Sequence, residues 1–247
     1  MKSRSMAFDV SIITLFPDAF PGMLDVSILG HAREQGIWSL ETTDLRSFGL
    51  GKHRQVDDKP AGGGAGLVIR PDVAAAAIDS TERKGRELIY LSPRGEPFTQ
   101  NLAHEFAQGP GLICFCGRFE GLDERVISQR GMREVSLGDF VLAGGEVAAQ
   151  AIIEATLRLL PGVAGNETSI EDESFSAGLL EYPQYTLPRI WEAQPTPDVL
   201  LSGDHSKVDQ WRLNRSKLLT EGRRPDLWAA YLNGQRIRAS ETDDEHD

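Results

Sequence analysis

The chain predicts an α/β fold: a mostly parallel sheet covered by helices, followed by a small, mainly helical C-terminal domain. Short apolar runs alternate with amphipathic stretches from residue 10 to residue 160, the order that strand–helix units of a parallel sheet produce. Two of those runs, Leu112–Cys116 and Val135–Leu137, empty into glycine-bearing polar loops. Such loops are where α/β proteins place ligand sites, and glycine lets the backbone come close to a ligand. After Pro161-Gly162 the hydrophobic period stops, and it resumes only in two helical stretches near the C-terminus.

In order, Val10–Phe16 reads as the first buried strand. Asp18–Arg33 reads as a helix, with Phe20, Leu24, Ile28 and Ala32 recurring every four residues, and Gly36 ends it before the strand Trp38–Thr42. Asp44–Gly66 is a long polar loop containing HRQVDDKPAGGGAG. No Gly-Lys-Ser/Thr closes it, so it is not a phosphate loop, and a lid or substrate-contacting loop is expected. Leu67–Ile69 is a short strand, and Pro71–Thr81 an alanine-rich helix opened by proline at its first position. The strand Glu87–Leu91 empties into Ser92-Pro93-Arg94-Gly95, and Thr99 can cap a short helix carrying Leu102, Ala103 and Phe106. Val147–Leu160 is an amphipathic helix closed by Pro161-Gly162. Val208–Leu219 and Pro225–Asn233 are the helices of the C-terminal domain. The expected boundaries are 1–161 for the first domain, 162–176 for an acidic linker, 177–238 for the second domain and 239–247 for an acidic, disordered tail. No internal repeat or low-complexity segment is evident.

Composition narrows the function classes. With 40% hydrophobic and 26% charged residues, the 247-residue chain is that of an ordinary soluble protein, and no run approaches the ~20 apolar residues of a membrane span. The basic-then-apolar N-terminus allows a signal-peptide reading, but Asp9 interrupts the run and Phe16-Pro17-Asp18 is wrong for a cleavage site, so a first buried strand is expected. Met6 is a candidate start that would leave Met1–Ser5 disordered. Two cysteines, Cys114 and Cys116, are too few for a disulfide framework and read as buried thiols of a cytoplasmic protein. The histidines and cysteines show no metal-ligand spacing, so no metal is expected. Asn166-Glu167-Thr168 matches a glycosylation sequon by chance. The net charge of −11 argues against indiscriminate nucleic-acid binding, and neither DNA nor a membrane is an expected partner. The segment 204–238 nevertheless holds eight Lys/Arg against four acids, a local basic region ahead of the acidic end.

A set of motifs then points to one family. They are Leu15-Phe16-Pro17, Val56-Asp57-Asp58-Lys59-Pro60-Ala61-Gly62-Gly63-Gly64, Tyr90-Leu91-Ser92-Pro93, Cys116-Gly117-Arg118-Phe119-Glu120-Gly121-Leu122-Asp123-Glu124-Arg125, Gly138-Asp139-Phe140-Val141-Leu142 with Gly144-Gly145-Glu146, and Leu200-Leu201-Ser202-Gly203-Asp204-His205. With these in this order, nearly end to end, the chain resembles the bacterial tRNA (guanine-N1-)-methyltransferases, the TrmD-type members of the knotted SPOUT methyltransferases. The resemblance implies a trefoil knot, which general topology rules would not suggest. It implies S-adenosylmethionine as methyl donor, a homodimer, and methylation of the guanosine immediately 3′ of the anticodon, tRNA position 37. Another RNA guanosine is the alternative target.

The family's cofactor pocket maps onto three loops of this chain. The first supplies Tyr90, Leu91, Ser92 and Pro93. The second supplies Gly117, Glu120 and Gly121. The third supplies Leu137, Gly138, Asp139, Phe140, Val141 and Leu142, with Gly144 and Gly145. Adenine suits a narrow apolar slot, which Leu91, Leu137, Phe140 and Leu142 can wall; taken on the residues alone, these four read as core. Phe119 stands where many members carry tyrosine, so any contact through that hydroxyl is absent.

Guanine N1 holds a proton at neutral pH, so its methylation calls for a base at N1 and a donor for the charge developing on O6. The resemblance places the donor at Arg158. On the residues alone Arg158 reads as an i,i+4 partner of Glu154 at a helix C-terminus. The family's base is an aspartate before Ser-Phe; here Glu173 holds that place, with Asp172 one step earlier. Arg212, Arg215, Lys217, Arg223 and Arg224 are the expected RNA contacts, with Trp211 either packing or stacking. Two rivals remain, a SAM-independent RNA-binding module and a nucleotide-dependent enzyme using Asp57–Gly66.

Overall fold

Strict alternation along one strand organises the first half of the chain. Of the strand Gly111–Cys116, Leu112, Cys114 and Cys116 face one hydrophobic core and Ile113 and Phe115 the other. A strand buried on both faces must carry apolar residues at every position, and it belongs inside a parallel sheet sandwiched by helices. The computed structural model describes residues 7–164, 174–175 and 178–244, with side chains described to residue 235. Two compact units are present, Met1–Gly165 and Asn166–Asp247.

The first unit is built on a five-stranded sheet of β1 (Phe8–Thr14), β2 (Trp38–Asp44), β5 (Glu87–Pro97), β6 (Gly111–Cys116) and β7 (Arg133–Ser136) in the order β2-β1-β6-β5-β7, with every pairing parallel. One face carries α3 (Gln100–Ala107) and α5 (Glu146–Leu157), whose Leu102, Phe106, Ile152, Ile153 and Leu157 fill the larger core with Leu29 of α1 (Ser27–Glu34). The opposite face carries α2 (Pro71–Asp79) and α4 (Glu124–Arg130), packed through Val73, Ala74, Ala77, Ile78, Val126 and Ile127. A two-residue antiparallel pair, β3 (Asp57–Asp58) with β4 (Val68–Ile69), closes the base of the glycine loop, which is otherwise turns. The thread of the chain through the sheet steps from β5 inward to β6 and out again to β7.

Several elements depart from the sequence reading. Asp18–Arg33 is not one helix: Pro17–Ala19 and Gly22–Asp25 are 3-10 turns, and the α-helix begins at Ser27. Pro17 and Pro21 cannot donate to a helical ladder, and they break the run. The four-residue repeat consequently fails at Ile28, which is exposed, while Phe20, Leu24 and Ala32 are buried. The short polar helix α4 carries too few apolar residues to announce itself. Val163, read as part of the acidic linker, turns back after Leu160 into the core of the first unit.

In the second unit, α6 (His205–Arg223) and α7 (Pro225–Asp244) pack together, preceded by a hairpin of β8 (Ile190–Trp191) and β9 (Gln194–Pro195). Ser174 and Phe175 belong here too: the Phe175 N–H donates to Leu179 O and the Glu181 N–H to Ser174 Oγ. Helix α7 runs to Asp244, into the stretch read from composition as an unstructured acidic tail; residues 235–244 contain no proline or glycine to stop it. Met1–Ser5 lies outside the described residues.

Candidate active site

Strands β5, β6 and β7 run parallel, so their C-terminal ends open at one edge of the sheet, the usual ligand position in such folds. Each end is shaped differently. In β5 both Leu91 and Glu96 pair with Val135, so the four residues Ser92–Gly95 arch away from the sheet between two anchored ends. Gly95 is required where the arch lands, because a Cβ there would collide with the β7 backbone at Glu134 and Val135. After β6 the chain turns through Gly117–Gly121. The buried Tyr90 holds that turn, its hydroxyl accepting the Leu122 N–H at 3.2 Å. Burial raises the Tyr90 hydroxyl above its ordinary pKa, so it stays protonated and neutral. The turn is also tied to the glycine loop's exit: the Glu120 N–H donates to Leu67 O and the Ile69 N–H to Gly121 O, both at 2.9 Å. The segment after β7 returns at Gly144-Gly145, where Gly145 N–H donates to Gly117 O at 3.0 Å. An alanine Cβ at Gly145 would stand 2.9 Å from the Cα of Cys116, so only glycine admits this approach.

These three loops enclose a cavity of about 370 Å³, within the range of small-molecule sites. Of the residues expected to bind cofactor, Tyr90, Leu91, Ser92 and Pro93 line it from the arch, and Gly117, Glu120 and Gly121 from the β6 turn. Leu137, Gly138, Phe140, Val141, Leu142, Gly144 and Gly145 line it from the third loop. Asp139 sits in that loop but does not line the cavity. Phe119, Phe140 and Val141 are exposed, Val141 at 86%.

Two lining arginines were not singled out in the sequence. Arg94, on the arch, pairs with Glu124 at 3.0 Å and Glu134 at 3.2 Å. Arg118 pairs with the buried Glu146 at 2.9 Å. A motif match identifies the loop but not which member turns inward, so nothing in the sequence marked them.

The expected catalytic residues stand apart from the cavity in the sequence and, where described, in space. Arg158 is the C-cap of α5, thirteen residues beyond Gly145 at its other end, or about 20 Å along the helix axis. It is half-buried. Glu173 and Asp172 lie outside the described residues.

In the second unit the five candidate RNA contacts share α6 and its C-cap. Arg212 lies 4.8 Å over the Tyr182 ring and 3.7 Å from Asp209. Arg215 lies over Trp211, and Lys217 over Tyr231. Trp211 is half-buried and meets Tyr185 edge-on. Arg223 is exposed, whereas Arg224 is held in a two-point pair with Asp226 at 2.9 and 2.6 Å. That pair drives the Asp226 carboxyl down to about 2.

Comparison with known proteins identifies the family. A family model described as tRNA (Guanine-1)-methyltransferase TrmD matches residues 6–230. A tRNA (guanine-N(1)-)-methyltransferase of Ruegeria pomeroyi is 58% identical over 235 residues, covering 94% of each chain. Proteins of the same name from Rhodopseudomonas palustris and Jannaschia sp. are 56% identical over 95% of this chain and 94% of theirs, and 55% identical over 94% and 96% respectively.

Proposed function

Since the chain belongs to the tRNA (guanine-N1-)-methyltransferase family, we propose that it transfers a methyl group from S-adenosylmethionine to N1 of the guanosine immediately 3′ of the tRNA anticodon. The observation that carries this reading is the single cavity into which three sequence-distant family motifs converge. Its features fit the donor. Leu91, Leu137 and Leu142 offer an apolar slot for adenine, and the glycines admit backbone contact. The family fold implies a trefoil knot, and the inward step from β5 to β6 before β7 is compatible with it.

When bound, S-adenosylmethionine supplies a methyl group whose bond to sulfur breaks as the bond to N1 forms, the electron pair returning to sulfur. The protein's own part is alignment and charge. Glu173 takes the N1 proton, with Asp172 the neighbouring alternative; glutamate keeps the family's carboxylate and adds one methylene. Arg158 holds the negative charge that gathers on O6.

The site is shared between two copies in this reading. Arg158 stands about 15 Å along α5 from Ala148, the last residue of that helix to line the cavity, farther than its side chain reaches. A second copy placing its Arg158 and linker carboxylate over this cavity completes the site. Met23, Val26, Ile28 and Val147 support a homodimer, because they are exposed on neighbouring elements of the first unit. The tRNA is held by Arg212, Arg215, Lys217 and Arg223. Arg224 is the weakest candidate, being already engaged by Asp226.

Labelled methyl transfer to tRNA transcripts differing only at that guanosine tests the function. Labelling should vanish when it is replaced; equal labelling would sink the assignment. Glu173→Gln should abolish transfer and leave S-adenosylmethionine binding intact. Near-normal turnover in that variant with loss in Asp172→Asn would move the base to Asp172.

A further inference from the structure

Three of the motifs that mark the family, Leu15-Phe16-Pro17, Cys116-Gly117-Arg118 and Gly144-Gly145-Glu146, are more than a hundred residues apart at the extremes yet meet behind one wall of the cavity. Their meeting is a closed circuit of polar contacts. The Phe16 N–H donates to Thr14 Oγ1 at 3.0 Å, and the Thr14 hydroxyl donates to Glu146 Oε1 at 2.7 Å. The other carboxylate oxygen of Glu146 lies 2.9 Å from Arg118 Nη2. Arg118 Nη1 donates to Ala143 O at 3.2 Å, and its guanidinium lies 4.3 Å over the Phe16 ring, returning to the start. Arg46 covers the same ring at 5.5 Å and donates to Leu15 O.

This circuit is an expensive way to fill space. Glu146 is 5% exposed and Thr14 fully buried. The ion pair is off-axis, leaving Arg118 Nε and Glu146 Oε2 without a hydrogen-bond partner among the described residues. Buried ion pairs repay their desolvation poorly, and an apolar packing of equal volume commonly does as well for stability. What the pair does fix is geometry. Arg118, Ala143, Gly144 and Gly145 all line the cavity, and the guanidinium fills the space a Cβ on Gly144 would take. Glu146 itself does not line it.

We propose that Glu146 is a positioning residue for the donor cavity: with Thr14 it sets Arg118, and Arg118 sets the Ala143–Gly145 wall against which the ligand lies. The proposal rests on the reading of this cavity as the S-adenosylmethionine site. It assigns no contact between Glu146 and the ligand, so its signature is loss of donor affinity with the RNA side of the reaction untouched.

The test measures S-adenosylhomocysteine affinity of the full-length protein by calorimetry, with KM for S-adenosylmethionine and for tRNA alongside. Glu146→Gln should weaken S-adenosylhomocysteine about tenfold or more, with the tRNA KM unmoved. Thr14→Val keeps the charges and removes one hydrogen bond. It should weaken binding about three- to tenfold, and Thr14→Ser should restore it. This second pair decides the matter should Glu146→Gln not fold. Wild-type affinity in Thr14→Val or Glu146→Gln, with only a lowered melting temperature, would overturn the proposal and make the circuit purely structural. A parallel rise in the tRNA KM would overturn it as well. Failure of the wild-type protein to bind S-adenosylhomocysteine would overturn the cofactor reading and this proposal together, whereas binding that the variants leave unchanged would overturn this proposal alone.

Discussion

Cys114 and Cys116 lie next to the cavity loop without exposing any atom to it or to solvent. Burial pushes the Cys114 thiol up to about 12, and Cys116 is held well above its ordinary value by burial, by Cys114 and by Glu146. Both stay neutral through the physiological range and are inert as nucleophiles. A disulfide reagent at pH 8 should therefore label native protein only at the rate of unfolding, and rapid labelling of either thiol would contradict their burial. The sign of the pH effect follows. Above the ordinary thiol value of about 8.5 the unfolded chain releases protons that the native chain keeps. Stability therefore falls as pH climbs from there toward about 12. At this scale the sequence was legible where a residue's surroundings follow from strand alternation, as for these two cysteines. It was illegible where a side chain's direction depends on partners far along the chain. Arg94 and Arg118 line the cavity because Glu124, Glu134 and Glu146 hold them, and no local pattern reports such pairs.

Among the elements, β5 and the start of α5 carry the site's shape. Gly145 ends the third loop where the backbone of Cys116 passes, so Gly145→Ala must push two main chains apart. It should destabilise the protein by about 1–3 kcal/mol, measured as a shift of the urea midpoint, and weaken S-adenosylhomocysteine binding at the same time. An unchanged midpoint would mean that the loop yields freely. Elements with a regular apolar period were readable from the sequence: β1, β2, β6, α2 and α5 sit within a few residues of their expected places. The turns between Pro17 and Asp25 were not, because a four-residue repeat across two prolines imitates a helix that the backbone cannot form. Nor was the arch in β5, since the strand Glu87–Leu91 reads as ending at Ser92-Pro93-Arg94-Gly95 until Glu96 and Pro97 are seen to pair with β7 as well.

For the molecule as a whole, the proposed sharing of the site makes a prediction that no single copy can test. Arg158→Ala and a cavity-blocking Leu142→Arg should each be inactive alone. Mixed and re-paired, they should recover about a quarter of wild-type activity, since half the random pairs are mixed and each holds one intact cavity faced by an intact Arg158. A mixture as silent as its parts would place Arg158 and its cavity in the same protomer. The order β2-β1-β6-β5-β7 has a further consequence, for synthesis. Strand β1 ends at Thr14, but its inner neighbour β6 starts only at Gly111. At the pace of a bacterial ribosome that is a gap of roughly 5–20 seconds, during which the first strand has left the tunnel with one edge unpaired. Because two of the three cavity loops follow β6 and β7, the nascent chain cannot hold its ligand until the sheet is whole. A factor that shields apolar strands on the ribosome would find its target here in the first forty-odd residues rather than in the cavity loops.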